Sequence, residues 1–126
     1  MNSKAKGFLN TQKIKYAGNH ILLEFWGAKD IDSISIIKKA LTRAVKDCGA
    51  TLLKIELHKF SPQGVSGVAL IAESHISLHT WPEYDYMAID IFTCGQTVNP
   101  YKAVDTLKKI FKPRKVEIKE IKRGKL

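Results

Sequence analysis

Apolar positions recur along this chain with two periods, one of two residues and one of three to four. Residues 19–27, NHILLEFWG, alternate Ile21, Leu23 and Phe25 with Leu22, Glu24 and Trp26, the pattern of a half-buried strand. Next, Ile34, Ile37, Leu41, Ala44 or Val45, and Cys48 recur at helical spacing. Asp30 or Asp32 is available as N-cap and Gly49 as the stop. Residues 51–60 alternate again, with Leu53, Ile55 and Leu57 against Lys54, Glu56 and His58. SPQG (61–64) is turn chemistry, followed by an apolar run at 65–73 and an alternating run at 74–81 that Pro82 breaks. Residues 87–93 predict a further strand, and Asn99-Pro100 opens a helix that buries Ala103, Val104, Leu107 and Phe111 until Pro113. KVEIKEIK (115–122) closes the series as an amphipathic edge strand, its lysines guarding the edge.

The order β-α-β-β-β-β-α-β predicts an α+β fold. It is a two-layer sandwich, a mainly antiparallel sheet with two helices on one face. Leu22, Trp26 and Phe60 then fall on the uncovered face, which is too apolar for water alone and calls for a second copy. Residues 1–15 read as a flexible arm, and residues 1–126 as a single domain.

Length and composition narrow the class. The 126 residues are 44% hydrophobic and 26% charged, ordinary for one globular domain. No apolar run approaches the roughly 18–20 residues of a membrane helix, and the basic N-terminus lacks the apolar core of a signal peptide. Two cysteines are too few for a secreted disulfide framework, so a reducing cytoplasm is expected. The net charge of +9 suggests nucleic acid until it is located. Residues 1–15 carry +4 and residues 108–126 carry +7, which leaves the middle of the chain at −2. Charge confined to the ends is a poor footprint for a groove-binding stripe, so neither nucleic acid nor membrane is an expected partner.

The candidate chemistry crowds into residues 66–95, where Ser66, Glu73, Ser74, His75, His79, Glu83, Asp85, Asp90 and Cys94 lie. Three readings of these residues stay open. A metal site of His75, His79, Glu83 and Cys94 is disfavoured, because histidines four apart on a strand are separated by roughly 13 Å. A Cys94–His79 or Cys94–His75 nucleophile pair is possible, Cys94 preceding Gly95 at a strand end, whereas Cys48 reads as a small buried hydrophobe. In the third reading every one of them is structural: a polar hairpin tip, a satisfied interior histidine and a Trp81-Pro82 corner.

Taken together, ESHISLHTWPEY (73–84), preceded by GVSG (64–67) and followed by IDIFTCG (89–95), resembles the signature of the small prokaryotic S-adenosylmethionine decarboxylases. These are pyruvoyl enzymes of polyamine synthesis, made as proenzymes that cut themselves at Glu-Ser. The resemblance runs from the first strand through the second helix. It implies cleavage at Glu73–Ser74 into a β chain of residues 1–73 and an α chain of residues 74–126. Ser74 becomes the pyruvoyl group that takes the substrate amine as a Schiff base and serves as electron sink, with no pyridoxal phosphate and no metal. It also implies that His79 and Ser66 serve the processing and that Cys94 is the proton donor, a thiol being largely protonated at neutral pH and quick to give up its proton. Glu83 would bind the ribose hydroxyls, and Phe60 and Trp81 would surround the adenine and sulfonium. By the same resemblance the active form is a homodimer of processed protomers with sites shared across the interface. The product, decarboxylated S-adenosylmethionine, is the aminopropyl donor for spermidine. Some relatives keep the same processing segment and decarboxylate arginine to agmatine, and the motif does not separate the two. His75 and Asp85 receive no role beyond strand and turn structure.

Overall fold

A computed structural model describes residues 9–11, 14–95 and 97–126. Among these residues the chain forms a short ladder of β1 (Leu9–Thr11) and β2 (Ile14–Tyr16), then β3 (Gly18–Trp26) and helix α1 (Ile34–Asp47). Strands β4 (Leu52–Lys59), β5 (Val65–Ile71), β6 (Ser74–Trp81) and β7 (Tyr86–Thr93) follow, with a 3₁₀ turn at Pro82–Tyr84. Helix α2 (Pro100–Phe111) and β8 (Lys115–Arg123) complete the fold.

The main sheet has the order β4-β5-β6-β7-β3-β8, antiparallel throughout. The expected α+β two-layer sandwich is therefore present, with the lysine-bearing last strand on an edge. Its helix face is apolar and dry. Ile21, Leu23 and Phe25 of β3, Ile76 and Leu78 of β6, and Met87, Ile89 and Ile91 of β7 are buried there. They meet Ile37, Leu41, Ala44 and Val45 of α1 and Ala103, Val104, Leu107 and Phe111 of α2 in one cluster. Those helical positions recur every three to four residues, so each helix turns one stripe to the sheet and its lysines to water. Among the described residues no helix covers the opposite face of the sheet. It presents Leu22 and Trp26 of β3, Leu70 of β5 and Trp81 of β6 at 36–49% exposure, with His75, Ser77, His79, Ala88 and Asp90 between them.

Of the arm expected at residues 1–15, residues 1–8, 12 and 13 lie outside the described residues; within the rest, Leu9 pairs with Tyr16 and Thr11 with Ile14. Backbone pairing there needs no apolar alternation, so the side-chain pattern gave no sign of it. Strand β2 is tied further by Leu126 N–H donating to the Lys15 carbonyl at 2.9 Å. One expectation needs correction. The N-cap of α1 is Ser33, whose hydroxyl accepts from Ile36 N–H, and neither Asp30 nor Asp32 caps the helix. Asp32 is engaged elsewhere, accepting from Gly64 N–H at 2.8 Å and pairing with Lys59 at 2.6 Å, a contact that lowers its carboxyl pKa.

Candidate active site

The β5–β6 hairpin turns on Ala72 and Glu73, which puts Ser74 at the first position of β6. Glu73 is gripped through both its ends. Its carbonyl oxygen accepts from the Cys94 backbone N–H at 2.9 Å and from the Cys94 thiol at 3.2 Å. Its carboxylate accepts from Thr51 N–H at 3.0 Å. Ser74 has φ 140°, a backbone region that non-glycine residues rarely adopt. Such a conformation costs on the order of 1–3 kcal/mol and persists only where its surroundings over-determine it. Cys94 reaches the turn because β7 ends at Thr93, beside Gly18 of β3. A Cβ on Gly18 would stand 2.4 Å from the Thr93 carbonyl oxygen, so only glycine allows the two strands this approach. Gly95, at φ 93°, turns the chain away and leaves Cys94 half-exposed. A strained residue preceded by a carbonyl that carries two aimed donors is suited to attack on that carbonyl.

A second group lies at the far end of the same strand. Ser66 and His79 are cross-strand partners on the open face, with Ser66 Oγ 2.7 Å from His79 Nδ1. Phe60 follows the end of β4, its amide bonded to the Gly64 carbonyl and its ring against His58 at 4.5 Å. Trp81 ends β6, and Glu83 sits exposed in the 3₁₀ turn just beyond. Trp81 is flanked by Tyr86, whose ring stacks on Trp26 at 4.3 Å. The Tyr86 hydroxyl donates to Glu24 at 2.5 Å; burial first, then this contact, pushes its pKa up to about 12. Between the two ends, the small Ala88 leaves a cavity of about 400 Å³ over β7, with Leu22, Glu24, Ser77, His79 and Asp90 on its walls.

The sequence-predicted residues thus fall into two groups, Glu73, Ser74 and Cys94 at one end and Phe60, Ser66, His79, Trp81 and Glu83 at the other. Ser74 and His79 are five residues apart on one extended strand, about 16 Å at 3.3 Å per residue. They do not meet within one chain.

At the centre of the open face is a cluster the sequence reading did not assemble. Asp90 was noted without a role and His20 lies far away in sequence. Asp90 Oδ2 is 2.9 Å from His20 Nε2 and 3.2 Å from His75 Nε2, while Ser77 donates to Oδ1. His75 is therefore more than a strand residue. The expected strand-turn role holds for Asp85, which has φ 50° and whose carbonyl accepts from Ala28 N–H. Two imidazoles and a carboxylate lie close enough to invite a metal reading. The hydrogen bonds argue otherwise. Arg123 lies 3.1 Å from His20 Nδ1 and can only donate, so that nitrogen accepts and the ring proton sits on Nε2, where a metal would need a lone pair. Cys48, as expected, is a buried hydrophobe at the end of α1, and burial raises its thiol pKa.

A sequence profile described as S-adenosylmethionine decarboxylase matches residues 19–124. The chain belongs to the S-adenosylmethionine decarboxylase family. It is 51% identical over 113 residues to the S-adenosylmethionine decarboxylase proenzyme of Methanococcus maripaludis strain C5, spanning 88% of this chain and 93% of that protein. A protein of the same name from Thermosipho melanesiensis is 46% identical over 114 residues, 89% of this chain and 88% of that one. The crystal structure of the adenosylmethionine decarboxylase from Aquifex aeolicus matches with a TM-score of 0.79 at 36% identity, covering 85% of this chain and 90% of that chain. Within this family frame the matched span contains both groups of candidate residues and the cluster between them. The ladder of β1 and β2 precedes it.

Proposed function

We propose that this protein is a self-processing, pyruvoyl-dependent decarboxylase of S-adenosylmethionine that works as a homodimer in the cytoplasm. The observation that carries the reading is the geometry at residues 73–74: a strained Ser74 beside a carbonyl held by two Cys94 donors. The Ser74 hydroxyl attacks the Glu73 carbonyl, and the amide becomes an ester as the Ser74 nitrogen leaves as the amine. The Cys94 N–H and thiol stabilise the charge that develops on the Glu73 oxygen. β-Elimination then releases the Glu73 carboxylate, and hydrolysis releases ammonia. A β chain of residues 1–73 and an α chain of residues 74–126 remain, the latter with a blocked end. Residue 74 is suited to carry such a group, since it opens a strand whose other end is anchored in the sheet.

Once formed, the pyruvoyl group supplies a carbonyl that binds an amine and accepts the electrons released with CO2. The side chains around it do the rest. Cys94 delivers a proton to the carbon that lost CO2. Glu83 accepts hydrogen bonds from two adjacent ribose hydroxyls, and Phe60 and Trp81 offer π faces to the adenine and the sulfonium. Glu24 and Glu117 on the open face suit a substrate with two cationic groups.

The separation of Ser74 from His79 supports the dimer. Two sheets packed open face to open face about a two-fold axis that runs across the strands have their strand directions reversed. The Ser74–Cys94 end of one protomer then lies over the Ser66–His79 end of its partner, giving two composite sites. Burial of Leu22, Trp26, Leu70 and Trp81 would drive the association. Cys48 and Cys94 are both free thiols, in keeping with a reducing compartment. The product serves as an aminopropyl donor for spermidine. The test is release of labelled carboxyl carbon from S-adenosylmethionine and, separately, from arginine. Release from S-adenosylmethionine that disappears in Ser74→Ala is expected; release from arginine alone would overturn the substrate assignment.

A further inference from the structure

The grip on Glu73 fixes one side of the scissile bond, and the strain at Ser74 survives only if the other side is fixed as well. Ser74 opens β6 directly after a two-residue turn, where a strand would ordinarily fray. The first side chain beyond it is His75, which donates from Nε2 to Asp90 Oδ2 on β7. Asp90 is in turn held by His20 of β3 through the same oxygen and by Ser77 through the other. Arg123 of β8 donates to His20 and lies 5.7 Å over the ring of Phe92, which packs against both His20 and His75. Side chains from β3, β7 and β8 thus converge on His75, the residue next after Ser74.

We infer that His75, Asp90 and His20 form a clamp that positions the C-terminal side of the Glu73–Ser74 bond, so that Ser74 cannot relax out of its strained conformation before the acyl shift. The inference rests on the cleavage reading above and names residues that reading leaves idle. None of the three reaches the reacting atoms; they are positioning residues. The rate of cleavage follows the population of the strained conformer, and a frayed β6 start lowers that population. After cleavage the same clamp holds the second residue of the new α chain and so fixes its modified end.

The test is pulse-labelled cell-free synthesis of the full chain, with cleavage followed on gels. His75→Ala should cleave roughly tenfold more slowly, equivalent to about 1.4 kcal/mol of barrier. His75→Gln, whose amide N–H can reach Asp90, should recover most of the rate. His20→Ala should slow cleavage by a smaller factor. In an uncleavable Ser74→Ala background, His75→Ala should raise hydrogen exchange at amides 74–77 and leave β3 and β7 unchanged. Wild-type cleavage rates in both alanine variants would overturn the clamp, as would faster exchange throughout the sheet. Should His75→Ala fold poorly, His20→Ala decides the matter, since it leaves β6 intact. A wild-type chain never cut at 73–74 would refute the cleavage reading instead, and the exchange experiment would still judge the clamp.

Discussion

Cys94 places two donors on the Glu73 carbonyl oxygen, and only one of them can be removed by substitution. The backbone N–H, at 2.9 Å, survives any side chain; the thiol, at 3.2 Å, is lost in Cys94→Ala. A hydrogen bond to a neutral acceptor contributes about 0.5–1.5 kcal/mol net, and one to a charged group about 1.5–3 kcal/mol. As the carbonyl becomes an oxyanion the thiol contact moves from the first range into the second. A thiol is a weak donor, so the difference expected in the transition state is about 1–1.5 kcal/mol, roughly a tenfold slower cleavage. Cys94 is half-buried, and urea unfolding of Cys94→Ala separates any loss of packing from the effect on rate. Cys94→Ser, with a stronger donor of similar reach, should cleave nearly as fast as wild type. Pulse-labelled synthesis and gel densitometry measure all three rates. Wild-type cleavage in Cys94→Ala, or equal slowing in the serine variant, would refute the assignment of the thiol as a donor to this carbonyl.

Shared sites predict complementation. Ser74→Ala and His79→Ala homodimers should each be inactive, while mixing them during refolding should regain up to about a quarter of wild-type activity, because random pairing makes half the dimers mixed and each mixed dimer has one intact site. Tyr86 should ionise late. Its folded pKa of about 12 lies above the unfolded value of about 10, so its contribution to stability is complete below pH 10 and lost as pH rises toward 12. Ultraviolet titration should lose this late step in Tyr86→Phe, whose stability should fall less steeply over that window. Ser33→Ala removes the acceptor for Ile36 N–H and should cost about 1 kcal/mol in urea unfolding, whereas Asp32→Asn should leave the α1 cap intact.

The strands and helices were legible because their burial is one-sided, and a one-sided surface writes its period into the sequence. Ile21, Leu23 and Phe25 against Leu22, Glu24 and Trp26 is one example, and the buried stripe from Ile37 to Val45 is another. The β1–β2 ladder was not legible, since main-chain pairing leaves no side-chain period. The α1 cap was misassigned because three oxygen-bearing residues precede the helix, and which one caps it depends on Lys59 and Gly64 recruiting Asp32 from another part of the fold. The site residues could be picked out in residues 66–95 because rare types cluster there in order. Their division into two ends could not be seen in that way. Residues as near in sequence as Ser74 and His79 are about 16 Å apart once the segment is extended. The clamp was hidden for the opposite reason. His20 and Asp90 are 70 residues apart, and only the β3–β7 pairing makes them neighbours.

The central claim is that the chain cuts itself at one bond and converts the residue that follows. Intact mass measurement of the purified protein tests this directly. The account predicts two chains that meet at Glu73–Ser74, the α chain lighter than its simple hydrolysis product by one ammonia and closed to Edman degradation. A single uncut chain, or an α chain with a free serine at its start, would contradict it.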